Sequence, residues 1–234
     1  MDRNENPLKY WYESGAAGYE TRIRNLFSFY DAIHVAINSI LRSILAPDSK
    51  LLIVGAGTGG EILELGKPNL GWRFLGVDPA QPMLNVASER IRTAGLSDRV
   101  SLVKGRVGEL PENTVYDAAT AAMVLHFVPD DGGKLNLLRD IAARLKPGAP
   151  LVLIDVHGNL SAPESKLLCE AWKHQQNLAG VKWEEVERGM TERMKTIHFV
   201  SADRVEQLLT EAGFARIQRF FQVFMLGGWI AFKN

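Results

Sequence analysis

A glycine pattern early in the chain has the spacing of a nucleotide-binding turn. In "LLIVGAGTGGEIL", Gly55, Gly57 and Gly60 follow four apolar residues. Glycines suit such a turn because the chain reverses with positive φ angles and the backbone approaches a ligand with no Cβ between them. The helix that follows presents its free N–H groups to polar groups of the ligand. The pattern alone indicates a nucleoside-containing cofactor without saying which one.

An acidic residue follows at the place where a ribose would be bound. Asp78 ends the next apolar run, in "GVDPAQPML". In an open α/β sheet the ligand lies at the carboxyl ends of the strands, and Asp78 follows the glycine turn at close to the expected interval of ~20 residues. We therefore expect Asp78 to accept hydrogen bonds from both ribose hydroxyls. Capping of the helix that begins near "PAQP" is the alternative role.

Three side chains are candidates for proton transfer. His126 follows the predicted fourth strand in "VLHF", and Asp155 and His157 follow the fifth in "IDVHG". A histidine suits a general base because its pKa lies near operating pH. We expect His126, His157 and Asp155 at the mouth of the site, although either histidine can instead serve as a structural hydrogen-bonding residue.

Short β-rich runs alternate with longer helical patterns, which predicts parallel βαβ units in a doubly wound sheet. Helical periodicity also covers Tyr19 to Leu45, with a break near Ser28, and Pro163 to Met194. The closing aromatic and β-branched stretch, from Phe214 onward, predicts two strands that are antiparallel where they meet. The strands are expected at residues 51–54, 72–77, 100–105, 116–121 and 150–156 and in the closing stretch.

Composition limits the classes of function. The 234 residues suffice for one domain, and equal counts of 27 acidic and 27 basic side chains give zero net charge, which disfavours nucleic acid as a partner. The single cysteine, Cys169, can form neither an internal disulfide nor a metal cluster. No apolar run reaches the ~18 residues of a membrane span, and the polar start lacks a signal-peptide core. We expect a cytoplasmic protein without membrane contact or bound metal.

Further motifs join these features into a family resemblance. The chain resembles the class I S-adenosylmethionine (SAM)-dependent methyltransferases in a combination of features. They are the helical start, the closing strand pair and the stretches "KGRVGELPE", "AAMVLHFVPDDGG" and "LKPGAPLVLID". The resemblance implies an α/β, Rossmann-like, seven-stranded, mostly parallel sheet whose last strand is antiparallel. It also implies a single domain over residues 1–234, with an N-terminal helical cap at 1–46 and a helical insertion at 160–200.

The resemblance also implies which residues bind SAM, and it implies S-adenosylhomocysteine as the product. Two positions depart from the family pattern, because Ile53 and Arg106 stand where acids are common. The implied contacts are Gly55, Ala56, Gly57, Thr58 and Gly59 around the methionine and ribose, Asp78 at the ribose, Pro79 and Met83 at the adenine face, Arg106 and Val107 at its edge, and Ala121 with Ala122 at the end of strand four.

Within the superfamily the chain is similar to carboxy-SAM synthases and their methyltransferase relatives. The likeness rests on "FYDAIHVAI", "LCEAWKHQQNLAG" and "EAGFARIQRFFQVFMLGGWIAFKN". It implies a cover over SAM from Tyr19, Arg24, Tyr30 and His34, and a carboxylate site at Arg188 or Arg193. The aromatic candidates for an acceptor pocket, with core packing or a dimer surface as the alternative, are Trp11, Tyr12, Trp172, Trp183, Phe220 and Phe221.

The predicted activity is in-line methyl transfer from SAM to a small-molecule acceptor. Several alternatives stay open at this point. They are a carboxy-SAM synthase-like or tRNA-modification-related enzyme, a NAD-dependent oxidoreductase, and a non-catalytic methyltransferase-like binding protein. Pairing of two chains as a homodimer is also open.

Overall fold

The computed structural model describes residues 16, 18–111 and 114–234, so the candidate wall residues Trp11 and Tyr12 lie outside the described part. Its centre is one seven-stranded sheet in the order β3-β2-β1-β4-β5-β7-β6. Strands β1 to β5 pair in parallel, as the alternation of strands and helices predicts. The strands are β1 (Lys50–Val54), β2 (Arg73–Asp78), β3 (Val100–Lys104), β4 (Ala118–Ala122), β5 (Pro150–Val156), β6 (Phe214–Val223) and β7 (Leu226–Lys233).

The last strand runs against its neighbours. β7 pairs antiparallel with both β5 and β6, so β7 alone opposes the direction of the other six strands. The backbone at Gly228 lies so close to Ile154, Phe220 and Phe221 that a Cβ would come within 3.0 Å of each of these side chains. The seven-stranded, mostly parallel sheet with an antiparallel last strand is therefore confirmed.

Eight α-helices surround the sheet in the described residues. Pro82 lies in the first turn of its helix and Gly95 follows the end with a φ of 69°, the asymmetry that helix termini favour. Ser201 Oγ accepts a hydrogen bond from the Arg204 N–H and caps the last helix. The helices are α1 (Tyr19–Leu26), α2 (Tyr30–Arg42), α3 (Gly60–Gly66), α4 (Gln81–Thr93), α5 (Gly133–Ala143), α6 (Pro163–Leu178), α7 (Trp183–Thr196) and α8 (Ala202–Glu211).

The N-terminal helices pack against the helices inserted after β5. The expected break near Ser28 separates α1 from α2. Trp172 of α6 donates from Nε1 to the Leu26 carbonyl at 2.7 Å, and its ring stacks on Phe27 with centroids 5.0 Å apart. These contacts hold α1 and α6 together at one wall of the cavity described below.

The apolar core lies on both faces of the sheet. All seven residues of β5 are buried, as expected for a strand covered by helices on both faces. Among the described residues, no helix has the length and apolar character needed to cross a bilayer.

Candidate active site

The glycine turn between β1 and α3 is built as a close-approach loop. Gly55, Gly57 and Gly59 have φ angles of 73°, 52° and 77°, a region that residues with a Cβ rarely adopt. A Cβ on Gly55 would overlap the Val124 side chain. Glycine at position 55 is therefore required both by the backbone angle and by the lack of space.

Asp78 joins the end of β2 to this loop. Its Oδ2 accepts from the Gly57 N–H at 2.9 Å and its Oδ1 from the Ala80 N–H at 2.8 Å. Burial raises the pKa of the carboxyl, while the two backbone donors act in the opposite direction. The N-cap residue of α4 is Ala80 and no side chain caps that helix. Each carboxylate oxygen keeps acceptor capacity, so binding a ribose hydroxyl is compatible with both backbone contacts.

The loop and Asp78 open onto a cavity of about 650 Å³, within the size range of small-ligand sites. Its walls come from the carboxyl ends of β1, β2 and β4 and from α1, α5, α6 and α7. The lining includes the following sequence-predicted residues: Tyr19, Gly55, Gly57, Asp78, Pro79, Met83, Arg106, Val107, Ala122, His126, Trp172 and Arg193.

Other predicted cofactor residues are not part of this lining. Ala56, Thr58, Gly59 and Ala121 are buried. The imidazole of His34 meets the Tyr30 ring edge-on at 4.5 Å, and both residues are buried in the core. Arg24 binds Glu20 and Asp31 and lies 5.4 Å from the Tyr30 ring centroid. Of the four predicted cover residues, the structure thus brings only Tyr19 to the cavity.

His126 and Asp155 form a hydrogen-bonded pair at the cavity wall. His126 lies in a 3₁₀ turn, Leu125–Phe127, just after β4. Its Nδ1 lies 2.5 Å from Asp155 Oδ1, and its backbone N–H donates to Asp155 Oδ2 at 2.9 Å. Asp155 is 1% exposed, so the carboxylate fixes both the ring and the backbone of His126. A histidine held at Nδ1 by a carboxylate has its other nitrogen available for proton transfer.

His157 lies elsewhere. Its ring meets Trp229 edge-on at 5.2 Å, and its Nε2 is buried without a hydrogen-bond partner among the described residues. Burial lowers the pKa of His157. Because His157 does not line the cavity, the structure brings only one of the two candidate histidines to the site.

The two candidate arginines of α7 also differ. Arg188 is exposed and outside the cavity lining. Arg193 lines the cavity and donates from Nη2 to Gln176 Oε1 at 3.0 Å. Its Nε is buried without a partner in the described part of the chain, and burial lowers the pKa of the guanidinium to about 10. Arg193 is thus a largely buried cation facing the cavity.

Several residues that sequence reasoning missed also shape the site. Glu20 of α1 accepts at Oε1 from Thr58 Oγ1 at 2.8 Å and from Arg90 Nη1 at 2.5 Å. Burial raises the pKa of Glu20, but these hydrogen bonds, together with the charge of Arg90 and a hydrogen bond from Arg24, outweigh burial, and the pKa is lowered overall. The partners lie 38 and 70 residues along the chain, so no local pattern could have paired them.

Acidic side chains also line the adenine end of the predicted site. Glu109 and Asp140 both contribute to the cavity wall, and Glu109 Oε2 accepts from the Arg106 N–H at 3.0 Å. The sequence departs from the family pattern at Arg106, and these two acids come from other positions in the fold. Glu109 lies within the quoted "KGRVGELPE" stretch, whereas Asp140 reaches the site only because α5 packs there.

Comparisons with known proteins agree with this architecture. A family model described as a methyltransferase domain matches residues 52–151. A demethylmenaquinone methyltransferase of Lactiplantibacillus plantarum is 26% identical over 92% of this chain and 90% of its own length. A carboxy-S-adenosyl-L-methionine synthase of Actinobacillus succinogenes is 23% identical over 94% of this chain and 92% of its own length.

A solved structure shares the fold. Human N-acetylserotonin methyltransferase, in complex with SAM, superimposes with a TM-score of 0.60 at 17% identity, covering 100% of this chain and 60% of that one. The domain match and the curated relatives favour a SAM-dependent enzyme over a NAD-dependent oxidoreductase and over a non-catalytic binding protein. The matched domain, the relatives and the sheet order together support the class I SAM-dependent methyltransferase superfamily as the family that this chain resembles.

Proposed function

We propose that the protein transfers a methyl group from SAM to a small-molecule acceptor, with His126 as general base. The observation that carries this proposal is the His126–Asp155 pair at the wall of the cavity onto which the glycine loop opens. In-line displacement requires mainly orientation of the two reactants and exclusion of water. A cavity closed on one side by α1 and α6 suits both needs.

The residues present fit SAM. The close-approach glycines at 55 and 57 would receive its amino-acid part and Asp78 its ribose, while Met83 and Val107 would flank the adenine. Glu109 and Asp140 are acceptors near that end for an amine donor. When bound, SAM supplies a methyl group already activated by a sulfonium, and S-adenosylhomocysteine is the product. The predicted cover role is kept for Tyr19 alone.

His126 would take the proton of an acceptor hydroxyl or amine. Asp155, bound to Nδ1, holds the imidazole in one orientation and stabilises the imidazolium formed when the proton is taken. This role of Asp155 is that of a positioning residue. An already ionised acceptor such as a thiolate would not need the base, so the dependence of the rate on His126 reports the acceptor's chemistry.

The acceptor compartment is expected where Trp172 and Phe27 stack. Their rings lie at the cavity wall with Ile197 of the segment after α7. Apolar and aromatic walls with a few polar groups are typical of sites for drug-sized molecules. The neutral net charge supports a small acceptor over nucleic acid.

Calorimetry tests the cofactor part of the proposal. SAM and S-adenosylhomocysteine should bind the wild-type protein, and Asp78→Asn should weaken binding of the product by about tenfold or more because an ionised acceptor forms the stronger hydrogen bonds. NAD serves as the negative control. Binding of NAD without binding of SAM would contradict the proposal.

Kinetics test the base. Isotope-labelled methyl transfer is measured across a panel of phenols, carboxylic acids, amines and thiols. For a hydroxyl acceptor, His126→Gln should lower kcat by about 10²–10⁴-fold, whereas His157→Gln, the matched control outside the cavity, should retain most of the rate. Equal losses in the two variants would refute the assignment of the base.

A second candidate, a carboxy-SAM synthase-like activity, is favoured by Arg193. A cavity-facing guanidinium that has no carboxylate within 4.0 Å among the described residues is suited to receive an anion from a ligand. Arg193→Met should weaken binding of carboxy-SAM far more than that of SAM, and the exposed Arg188→Met is its matched control. Equal affinity of the Arg193 variant for both compounds would exclude this activity.

The remaining parts of the proposal concern the setting of the enzyme. We propose one domain over residues 1–234, in which the 1–46 segment is a cap and the 160–200 segment an insertion. The free thiol of Cys169 fits a reducing compartment, and we keep the cytoplasm as the expected location. Size-exclusion chromatography with light scattering tests the predicted homodimer.

A further inference from the structure

Lys134 is a buried lysine beside the His126 turn. It is 1% exposed and is the second residue of α5. Its Nζ donates to the Leu125 carbonyl at 2.8 Å. Leu125 begins the 3₁₀ turn that carries His126, so the side chain reaches back from the helix to that turn.

The position is unfavourable for a cation. The first turn of a helix carries a partial positive charge that repels an ammonium group, and burial adds a desolvation cost. No carboxylate oxygen lies within 4.0 Å of Lys134 Nζ in the described ranges. Burial lowers the pKa of Lys134, and the more distant Asp155 and Asp130 act in the opposite direction. An apolar side chain of similar length would avoid both costs, which indicates that the charge has a role.

Several polar groups of the turn are held by hydrogen bonds from other parts of the fold. The Leu125 carbonyl accepts from Lys134, and the His126 carbonyl accepts from the His198 N–H at 2.8 Å. The His126 N–H and Nδ1 both meet Asp155. Of these contacts, only the one from Lys134 brings a positive charge to the turn.

We propose that Lys134 is a positioning residue for His126, holding its turn through the Leu125 carbonyl and placing a positive charge within the electrostatic range of Asp155. This inference rests on the proposed role of His126 as a base.

Three other titratable or charged groups lie around the His126–Asp155 pair. Asp130 binds Arg204 of α8, and Arg193 faces the same cavity from α7. The ring of His198 belongs to the segment after α7, whose backbone meets His126. All of these groups are present in every Lys134 variant, and Asp130 also interacts with Lys134 itself.

Histidine NMR tests the inference without needing the acceptor. The imidazole Cε1–H signals of the whole protein are titrated, and the His126 signal is assigned by its loss in His126→Gln. Lys134→Met keeps the length of the side chain and removes its charge. Because a nearby positive charge disfavours a second one, His126 should bind a proton more readily in Lys134→Met than in the wild type, while Lys134→Arg, which keeps the charge, should change its titration much less.

Lys146→Met is the matched control, because Lys146 follows the other end of α5 and pairs on the surface with Asp117. It should leave the His126 titration unchanged. Thermal unfolding of each variant checks the fold, and Lys134→Gln replaces Lys134→Met if the latter does not fold. A His126 pKa that is the same in the neutral Lys134 variants and the wild type would overturn the inference. If the proposed role of His126 as the base were wrong, the His126→Gln enzyme would instead retain its methyl-transfer activity.

Discussion

The buried carboxyl of Glu61 should make the stability of this protein depend on pH. Glu61 is the second residue of α3, directly after the glycine loop, and is 7% exposed. Its Oε1 is buried without a hydrogen-bond partner among the described residues. Burial raises its pKa from the usual 4.5 to about 7, against a smaller lowering by the Thr120 hydroxyl.

The sign and size of the effect follow from linkage. A carboxyl whose pKa is raised in the folded state favours the protonated form there, so folding is penalised as pH rises from 4.5 through 7. A pKa difference of about 2.5 units corresponds to roughly 3 kcal/mol at pH 8. Glu61→Gln removes this penalty. Relative to wild type, the variant should therefore gain roughly 3 kcal/mol between pH 4.5 and pH 8.

His34 has the opposite dependence. Both of its ring nitrogens are buried without hydrogen-bond partners in the described residues, and burial lowers its pKa to about 4. The folded state then favours neutral imidazole, so stability is present above pH 6.5 and lost as pH falls through 4. Glu61 and His34 therefore change the stability of the protein in opposite directions over overlapping pH ranges. Glu61→Gln should therefore reveal an acid sensitivity that the wild type largely hides.

Urea unfolding at half-unit steps from pH 4.5 to 8.5, followed by circular dichroism, measures this difference. The amide of the variant adds an offset that does not change with pH, so the slope is the result to read. Glu64→Gln, one turn along α3 at an exposed position, is the matched control and should give a flat difference. A flat difference for Glu61→Gln as well would refute the reasoning.

Three further predictions concern the loop and its cover. Gly55→Ala should lose roughly 2–4 kcal/mol of stability, since the residue needs a positive φ and its Cβ would overlap the Val124 side chain. The control is Gly95→Ala, because Gly95 has a φ of +69° but nothing within 4 Å of an added Cβ. It should lose only about 1 kcal/mol in the same urea assay. Glu20→Gln should lower the melting temperature and weaken S-adenosylhomocysteine binding, because it weakens the hydrogen bonds that join α1 to the loop. The exposed Glu89→Gln should leave both quantities close to their wild-type values, and equal effects of the two variants would argue against this link. Trp172→Phe keeps a ring but loses the 2.7 Å hydrogen bond to α1, which should cost about 1–2 kcal/mol in urea unfolding; an unchanged midpoint would contradict this.

The regular architecture could be predicted from the sequence because it rests on local patterns. Short β-rich runs between helical periods specify parallel strands, and the aromatic stretch after Gly213 indicated the antiparallel finish. The glycine turn and Asp78 were predicted for the same reason. A positive φ at Gly55 and a carboxylate at a strand's end are properties of single positions and their immediate neighbours.

The pairing of distant side chains was decided by tertiary structure alone. His126 and His157 were equivalent in sequence, since each follows a strand, but the 3₁₀ turn carries the first to the cavity while the second packs on Trp229. Arg188 and Arg193 belong to the same helix, α7, and differ in the face that they occupy: Arg188 is exposed, whereas Arg193 lines the cavity. Which side chain faces a cavity depends on how helices pack over the sheet, and that packing is set by contacts between residues far apart in the chain, such as Trp172 with Leu26.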